Sequence, residues 1–139
     1  MATLSTIRIL IVEDSNADVF LIREAIERSH IDAVIDVVRD GHAATQYFDA
    51  ADASESAPCP ALVLLDLNLP KKSGDEVLKH LRASCRCKNA KVVIVSSSDA
   101  PTDRKAVEYF TVSHYFQKPS QYHDFMKIGP VIESLLSTQ

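Results

Sequence analysis

Residues 62–70 read Leu-Val-Leu-Leu-Asp-Leu-Asn-Leu-Pro, and the architecture of this 139-residue chain can be worked out from them. Four large aliphatic residues in succession predict a short strand that is buried on both faces, as in a parallel sheet. A carboxylate, Asp66, follows at once. A buried charge is unfavourable unless it is paired or binds a metal, and open parallel sheets bind ligands outside the carboxyl ends of their strands. Asp66 is therefore a candidate functional residue.

Four more strand-like runs alternate with amphipathic stretches along the chain. The predicted strands are 7–12, 33–39, 62–65, 91–95 and 113–117, and the predicted helices are 16–29, 43–48, 73–81, 102–111 and 122–136. Strands that alternate with helices predict right-handed βαβ units and a parallel sheet covered on both faces. The predicted fold class is α/β, a doubly wound (βα)5 three-layer sandwich.

Two segments are expected to interrupt this regular pattern. Residues 50–60 are rich in Ala, Ser, Asp and Pro, and we predict a surface loop there. Gly129-Pro130 lies inside the last predicted helix and should weaken or kink it. The apolar residues of that helix are predicted to face the core: Phe125, Ile128, Ile132 and Leu135.

The bulk composition limits the classes of protein that this chain can represent. The net charge of −4 and the pI near 5.7 argue against a general nucleic-acid binder, which would show a basic face. No apolar run approaches the roughly 20 residues that cross a bilayer, and residues 1–7 do not resemble a signal peptide. We expect one domain over residues 1–139 with a core of about 6–137, no output domain, no membrane contact and a cytoplasmic location.

The chain has three cysteines, an odd number that does not indicate a disulfide framework. Cys85 and Cys87 form one close pair and lack the second pair of ligands that a zinc site needs. We therefore predict that they are reduced thiols at the surface or at a helix end.

Polar side chains follow four of the predicted strands at the point where each strand ends. Glu13 and Asp14 follow the first, Asp66 the third, Ser96 the fourth and Lys118 the fifth. Three neighbouring carboxylates repel one another, and a divalent cation such as Mg²⁺ relieves that repulsion. The lysine supplies a positive charge for a phosphate oxygen. This set fits phosphoryl transfer to a carboxylate nucleophile.

With these motifs the chain resembles a response-regulator receiver domain of two-component signalling over nearly its full length. The matching motifs are I-V-E-D, L-L-D-L-N-L-P, V-S-S-S and Lys118-Pro119, and the spacings of 30 positions from Asp66 to Ser96 and 22 from Ser96 to Lys118 agree with the family. The resemblance implies the flavodoxin-like sheet order 2-1-3-4-5 and a cis Lys118–Pro119 bond. The run L-D-L-N-L-P-K-K-S-G-D-E-V-L further resembles the small single-domain regulators of phytochrome-type histidine kinases.

The resemblance also implies a role for each site residue. Asp66 would accept a phosphoryl group from a phosphohistidine of a sensor histidine kinase, and Lys118 would pair with that group. The implied cofactor is Mg²⁺, and its implied ligands are Glu13, Asp14, Asp66 and the main-chain carbonyl of Asn68.

The family further implies a conformational switch that changes a surface patch. Ser96 would move inward to a phosphoryl oxygen, and Tyr115 would follow it from an exposed to a buried position. The output would be a contact with a downstream protein that the sequence does not identify. A homodimer through the fourth helix, fifth strand and fifth helix is also implied.

Two other functions remain open from the sequence alone. A phosphohydrolase of the haloacid dehalogenase type also has a nucleophilic aspartate after a strand, but it carries a second aspartate two residues on, where this chain has Asn68. A receiver-like binding module that is never phosphorylated is the other alternative. Nucleotide enzymes are disfavoured because neither G-x-G-x-x-G nor G-x-x-x-x-G-K-[ST] occurs.

Overall fold

A computed structural model of the chain describes residues 7–97, 101–108 and 110–137. Its strands are β1 (Ile7–Val12), β2 (Ala33–Val38), β3 (Leu62–Leu65), β4 (Lys91–Ser96) and β5 (His114–Gln117). Its helices are α1 (Asn16–Arg28), α2 (Gly41–Ala53), α3 (Gly74–Arg82), α4 (Pro101–Glu108), α5 (Tyr122–Phe125) and α6 (Ile128–Ser137). The strands form one parallel sheet in the order β2-β1-β3-β4-β5, which confirms the predicted fold class and strand order.

The sheet has an apolar layer on each face because successive side chains of a strand point to opposite sides. Leu10 of β1 packs on one face with residues of α2 and α3, such as Phe48 and Leu81. Ile9 of β1 packs on the other face with residues of α1 and α6, including Ile22. Both layers are fully enclosed at the central strands, so the buried aliphatic runs position the ends of β1 and β3 rigidly.

The C-terminal segment is two helices, where the sequence predicted one kinked helix over 122–136. The chain leaves the helical path after α5 and re-enters it at Ile128, so Gly129 and Pro130 lie in the first turn of α6. Proline is well tolerated in a first turn because the N–H groups there have no intrahelical acceptor. The predicted core face is confirmed, since Phe125, Ile128 and Ile132 are buried.

The predicted loop over 50–60 is shorter than expected, because α2 continues to Ala53 and buries Ala51 against the core. Arg86 holds this end of the helix from the loop that precedes β4. Its guanidinium donates hydrogen bonds of 2.6 Å to the carbonyl oxygens of Ala51, Ser54 and Ala57. Carbonyls at a helix C-terminus lack intrahelical donors, so Arg86 supplies the partners that the local sequence does not.

The prediction of a reduced surface thiol is confirmed for Cys85, which is exposed and free, and is wrong for Cys87. Cys87 is buried and forms a disulfide with Cys59, although the odd number of cysteines gave no indication of one. The two partners precede β3 and β4, which are neighbours in the sheet, so the parallel pairing brings their Cα atoms to 5.3 Å. Linear spacing does not reveal this proximity.

The Lys118–Pro119 peptide bond is trans, so the expectation of a cis bond, which the family resemblance implied, is wrong. Trans is the lower-energy form even before proline, and here the Lys118 N–H donates to the Ser96 carbonyl at 2.7 Å. Among the described residues, no helix is both long and apolar enough to span a bilayer.

Candidate functional site

The strand register brings three acids together at the carboxyl edge of the sheet. Val12 pairs with Leu65, and the Asp66 N–H donates to the Val12 carbonyl at 3.1 Å, so the residues that follow β1 and β3 are neighbours. Glu13, Asp14 and Asp66 each offer a carboxylate oxygen, and these oxygens lie within 4.8 Å of one another. Glu13 and Asp66 are buried, whereas Asp14 is exposed.

Lys118 reaches this cluster from the end of β5. Its Nζ lies 2.7 Å from Glu13 Oε1, 2.8 Å from Asp18 Oδ2 and 3.3 Å from Asp66 Oδ2. Burial by itself lowers the pKa of the ammonium, but the bonds to Asp18 and Glu13 and the charge of Asp66 outweigh it and raise the Lys118 pKa above its usual value. Lys118 is therefore a permanent positive charge among the acids.

A single lysine does not neutralise this cluster. Burial and the charge of Asp66 outweigh the opposing effect of Lys118, and together these influences raise the pKa of Glu13 to about 7. Glu13 Oε1 is buried and is in ion-pair contact with Lys118, yet no described residue gives it a well-aligned hydrogen bond. Oxygen-only donors with excess negative charge fit a hard divalent cation such as Mg²⁺.

The local backbone orients the Asp66 carboxylate. Oδ1 accepts a hydrogen bond of 3.1 Å from the Asn68 N–H, which leaves Oδ2 facing Lys118. The neighbouring helix comes very close here: a Cβ atom on Gly74 would lie 2.6 Å from the Asp66 carbonyl oxygen. Glycine at this position therefore lets α3 begin directly beside Asp66.

The two predicted switch residues lie on neighbouring strands. Ser96 is the last residue of β4 and is fully buried, and its backbone pairs with Gln117 of β5. Tyr115 is half-buried in β5, and the Arg104 guanidinium of α4 lies 4.4 Å from its ring centroid. Such a cation–π contact ties the position of Tyr115 to α4. Ser98, another hydroxyl of the same run, lies outside the described residues.

The structure brings Glu13, Asp14, Asp66 and Lys118 together as predicted, and it adds Asp18, which was not among the predicted site residues. The Ser15 side chain caps α1 by accepting from the Asp18 N–H at 3.3 Å. The helix therefore starts at the carboxyl edge, and its first-turn acid faces Lys118. One sequence signal could have indicated this contact. Asp18 lies three residues after the cap residue of a helix that begins at the ligand-binding edge of the sheet.

Comparisons with known proteins agree with this geometry. The sequence profile of the response regulator receiver domain matches residues 9–128. Response regulator Rcp1 from Synechocystis sp. is 39% identical over 126 residues, which cover 91% of this chain and 86% of Rcp1.

Two solved structures are similar over almost the whole chain. The phosphorylated cyanobacterial phytochrome response regulator RcpA has a TM-score of 0.86 and 35% identity, with 97% of each chain covered. The Mn²⁺-bound form of response regulator Rcp1 has a TM-score of 0.83 and 38% identity, with 95% of this chain and 96% of that chain covered.

Proposed function

This chain belongs to the response regulator receiver domain family of two-component signalling, and we propose that Asp66 is its phosphoryl acceptor and a sensor histidine kinase its phosphoryl donor. One observation carries the assignment. The Asp66 carboxylate is buried at the end of β3, within the three-acid cluster, and its Oδ2 is 3.3 Å from the Lys118 ammonium.

The chemistry is a phosphoryl transfer between a nitrogen and an oxygen. A carboxylate oxygen of Asp66 forms a bond to phosphorus as the bond from phosphorus to the donor imidazole breaks, and the imidazole leaves with the electron pair of that bond. Such transfers depend mainly on positioning and charge neutralisation. Lys118 supplies one positive charge. Bound Mg²⁺ would supply the other charge, held by Glu13, Asp14, Asp66 and the Asn68 main-chain carbonyl.

We further propose that phosphorylation switches the surface formed by α4 and β5. The Ser96 hydroxyl binds a phosphoryl oxygen, and Tyr115 follows it inward, away from its contact with Arg104. A phosphoryl group that binds one arrangement better shifts the population towards it. The short path from the buried Ser96 to Tyr115, across adjacent strands, supports this order of events.

We propose that the phosphoryl donor and the downstream target of this chain are both proteins. Similarity to Rcp1 and to the phytochrome response regulator RcpA supports a phytochrome-type histidine kinase as donor. The net charge of −4 favours a protein target over nucleic acid. Homodimerisation through α4, β5 and the C-terminal helices would use the switched surface. A cytoplasmic location follows because kinases take the phosphoryl group from cytoplasmic ATP.

Asn68 argues against a phosphohydrolase, since an amide cannot act as the general acid–base that such an enzyme needs at this position. We propose that the chain catalyses only its own phosphorylation and dephosphorylation. A receiver is phosphorylated and a passive binding module is not, so detecting phosphorylation of the chain distinguishes these two functions.

Incubation with acetyl phosphate and Mg²⁺, followed by intact-mass measurement, tests the proposal. The wild type should gain one phosphoryl group, and Asp66→Asn should gain none. Equal gain by both proteins would assign the acceptor elsewhere, and no gain by the wild type would favour the binding module. Incubation with a simple phosphate ester tests the hydrolase separately, because a hydrolase would release phosphate from the ester over many turnovers.

A further inference from the structure

Three carboxylates surround the Lys118 ammonium in this structure. Nζ donates hydrogen bonds to Asp18 and Asp66 and lies 2.7 Å from Glu13 Oε1. An incoming phosphoryl oxygen must therefore compete with these carboxylates for the ammonium.

The three carboxylates differ in what phosphorylation does to them. Asp66 is itself the proposed acceptor, and Glu13 belongs to the cluster that would hold the metal. Asp18 does neither: it lies outside that cluster, and its Oδ2 accepts a hydrogen bond of 2.8 Å from Lys118, shorter than the 3.3 Å bond to Asp66. Asp18 thus remains a competitor for the ammonium after the other two acids have other partners.

Asp18 is also held firmly in place. Its backbone N–H donates to the cap residue Ser15, and the following residues Val19 and Ile22 are buried under the sheet. These contacts fix the backbone of Asp18, which keeps its carboxylate within reach of Lys118. Its charge also adds to the negative potential that an incoming phosphate meets.

We propose that Asp18 is a positioning residue that competes with the phosphoryl group for the Lys118 ammonium and thereby slows phosphorylation of Asp66. The inference rests on the proposed phosphorylation of Asp66. Helix α1 thereby helps to set the rate at which Asp66 is phosphorylated.

The test is the rate constant for phosphorylation by acetyl phosphate at saturating Mg²⁺, followed by intact mass. In this reaction Asp66 forms a bond to phosphorus and acetate leaves. Asp18→Asn keeps the size of the side chain and removes its charge, and Asp18→Ala removes the contact altogether. Both should react about three- to tenfold faster than the wild type, the scale expected for loss of one partly exposed charged contact.

Two control variants separate this effect from a general change of helix or charge. Asp18→Glu restores the carboxylate on a longer arm and should return the rate to within about twofold of the wild type, because a charged contact tolerates a flexible partner. Glu27→Gln removes one charge from an exposed position of the same helix and should leave the rate unchanged.

Each result has a definite meaning. An Asp18→Asn rate equal to or below that of the wild type overturns the inference, as does an equal acceleration by Glu27→Gln or by Asp18→Glu. If the wild type gains no phosphoryl group at all, the proposed function itself has failed, and the inference fails with it.

Discussion

Lys118 and Glu13 form an ion pair across the carboxyl edge of the sheet, with Nζ 2.7 Å from Oε1 and neither side chain more than 10% exposed. The pair joins the end of β5 to the end of β1, although β3 and β4 lie between these strands. Asp66, at the end of β3, contacts the same ammonium, with Oδ2 3.3 Å from Nζ. The lysine therefore compensates the acceptor and its acidic neighbour together, and a metal ion would compete with it for the same oxygens.

Replacing Lys118 with methionine should strengthen Mg²⁺ binding. The substitution keeps an apolar stem of similar length but leaves the carboxylates without their cation, so the affinity for Mg²⁺ should rise about three- to tenfold. Isothermal titration calorimetry measures it. Lys127→Met is the matched control, because Lys127 lies at the surface and pairs only with Asp124 among the described residues. Weaker binding by Lys118→Met would show that the lysine does not compete with the metal.

Gly74→Ala should impair both stability and phosphorylation. The new methyl group would lie 2.6 Å from the Asp66 carbonyl oxygen, so the start of α3 must move away from the acceptor. We expect a loss of about 1–3 kcal/mol in the free energy of unfolding and slower reaction with acetyl phosphate. Gly129→Ala crowds Ser29, between α6 and α1, and should lose stability with little change in rate. Equal rates for Gly74→Ala and wild type would contradict the positioning role of Gly74.

Tyr47→Phe should make stability less dependent on pH in the acid range. Burial raises the pKa of Asp36, but the Tyr47 hydroxyl at 2.7 Å and Arg8 at 2.8 Å outweigh it and lower that pKa. A carboxyl group whose pKa is lower in the folded than in the unfolded protein stabilises the fold at pH values above its unfolded-state pKa. This stabilisation is lost as the pH falls through its folded-state pKa. The free energy of unfolding of Tyr47→Phe should be lower than that of the wild type by about 1–2 kcal/mol at pH 7, and by less near pH 3. Urea unfolding at both pH values measures the difference, and an equal loss at both would contradict it.

Reduction of the Cys59–Cys87 disulfide should destabilise the chain without unfolding it. The bond joins residues 28 positions apart, for which loop closure predicts roughly 3–4 kcal/mol. The hydrogen bonds from Arg86 to the end of α2 do not involve the disulfide, so we expect them to persist after reduction. Thermal unfolding with and without dithiothreitol measures the shift, and Cys85→Ser should show the same shift as the wild type. Three titratable thiols in the unreduced, denatured chain would show that the bond is absent.

Much of the fold follows from local sequence because short aliphatic runs such as that of β3, bounded by loop residues, are typical of buried strands. The acids that end β1 and β3 were predictable for the same reason, since parallel strands share one carboxyl edge. Other features depend on distances that no local pattern carries. The contact of Asp18 with Lys118 needs the position of α1 over that edge, and the Cys59–Cys87 bond needs β3 beside β4. Pro130 suggested a kink inside one helix, and only the structure shows that a separate helix, α6, begins two residues earlier at Ile128.

The central claim is that Asp66 receives a phosphoryl group from a histidine kinase. Transfer from a purified, autophosphorylated phytochrome-type kinase carrying radiolabelled phosphate tests it most directly, in the presence of Mg²⁺. The label should leave the kinase and appear on the wild type, in a form that alkali releases as expected for an acyl phosphate, and it should not appear on Asp66→Asn. Equal labelling of the wild type and Asp66→Asn would contradict the account.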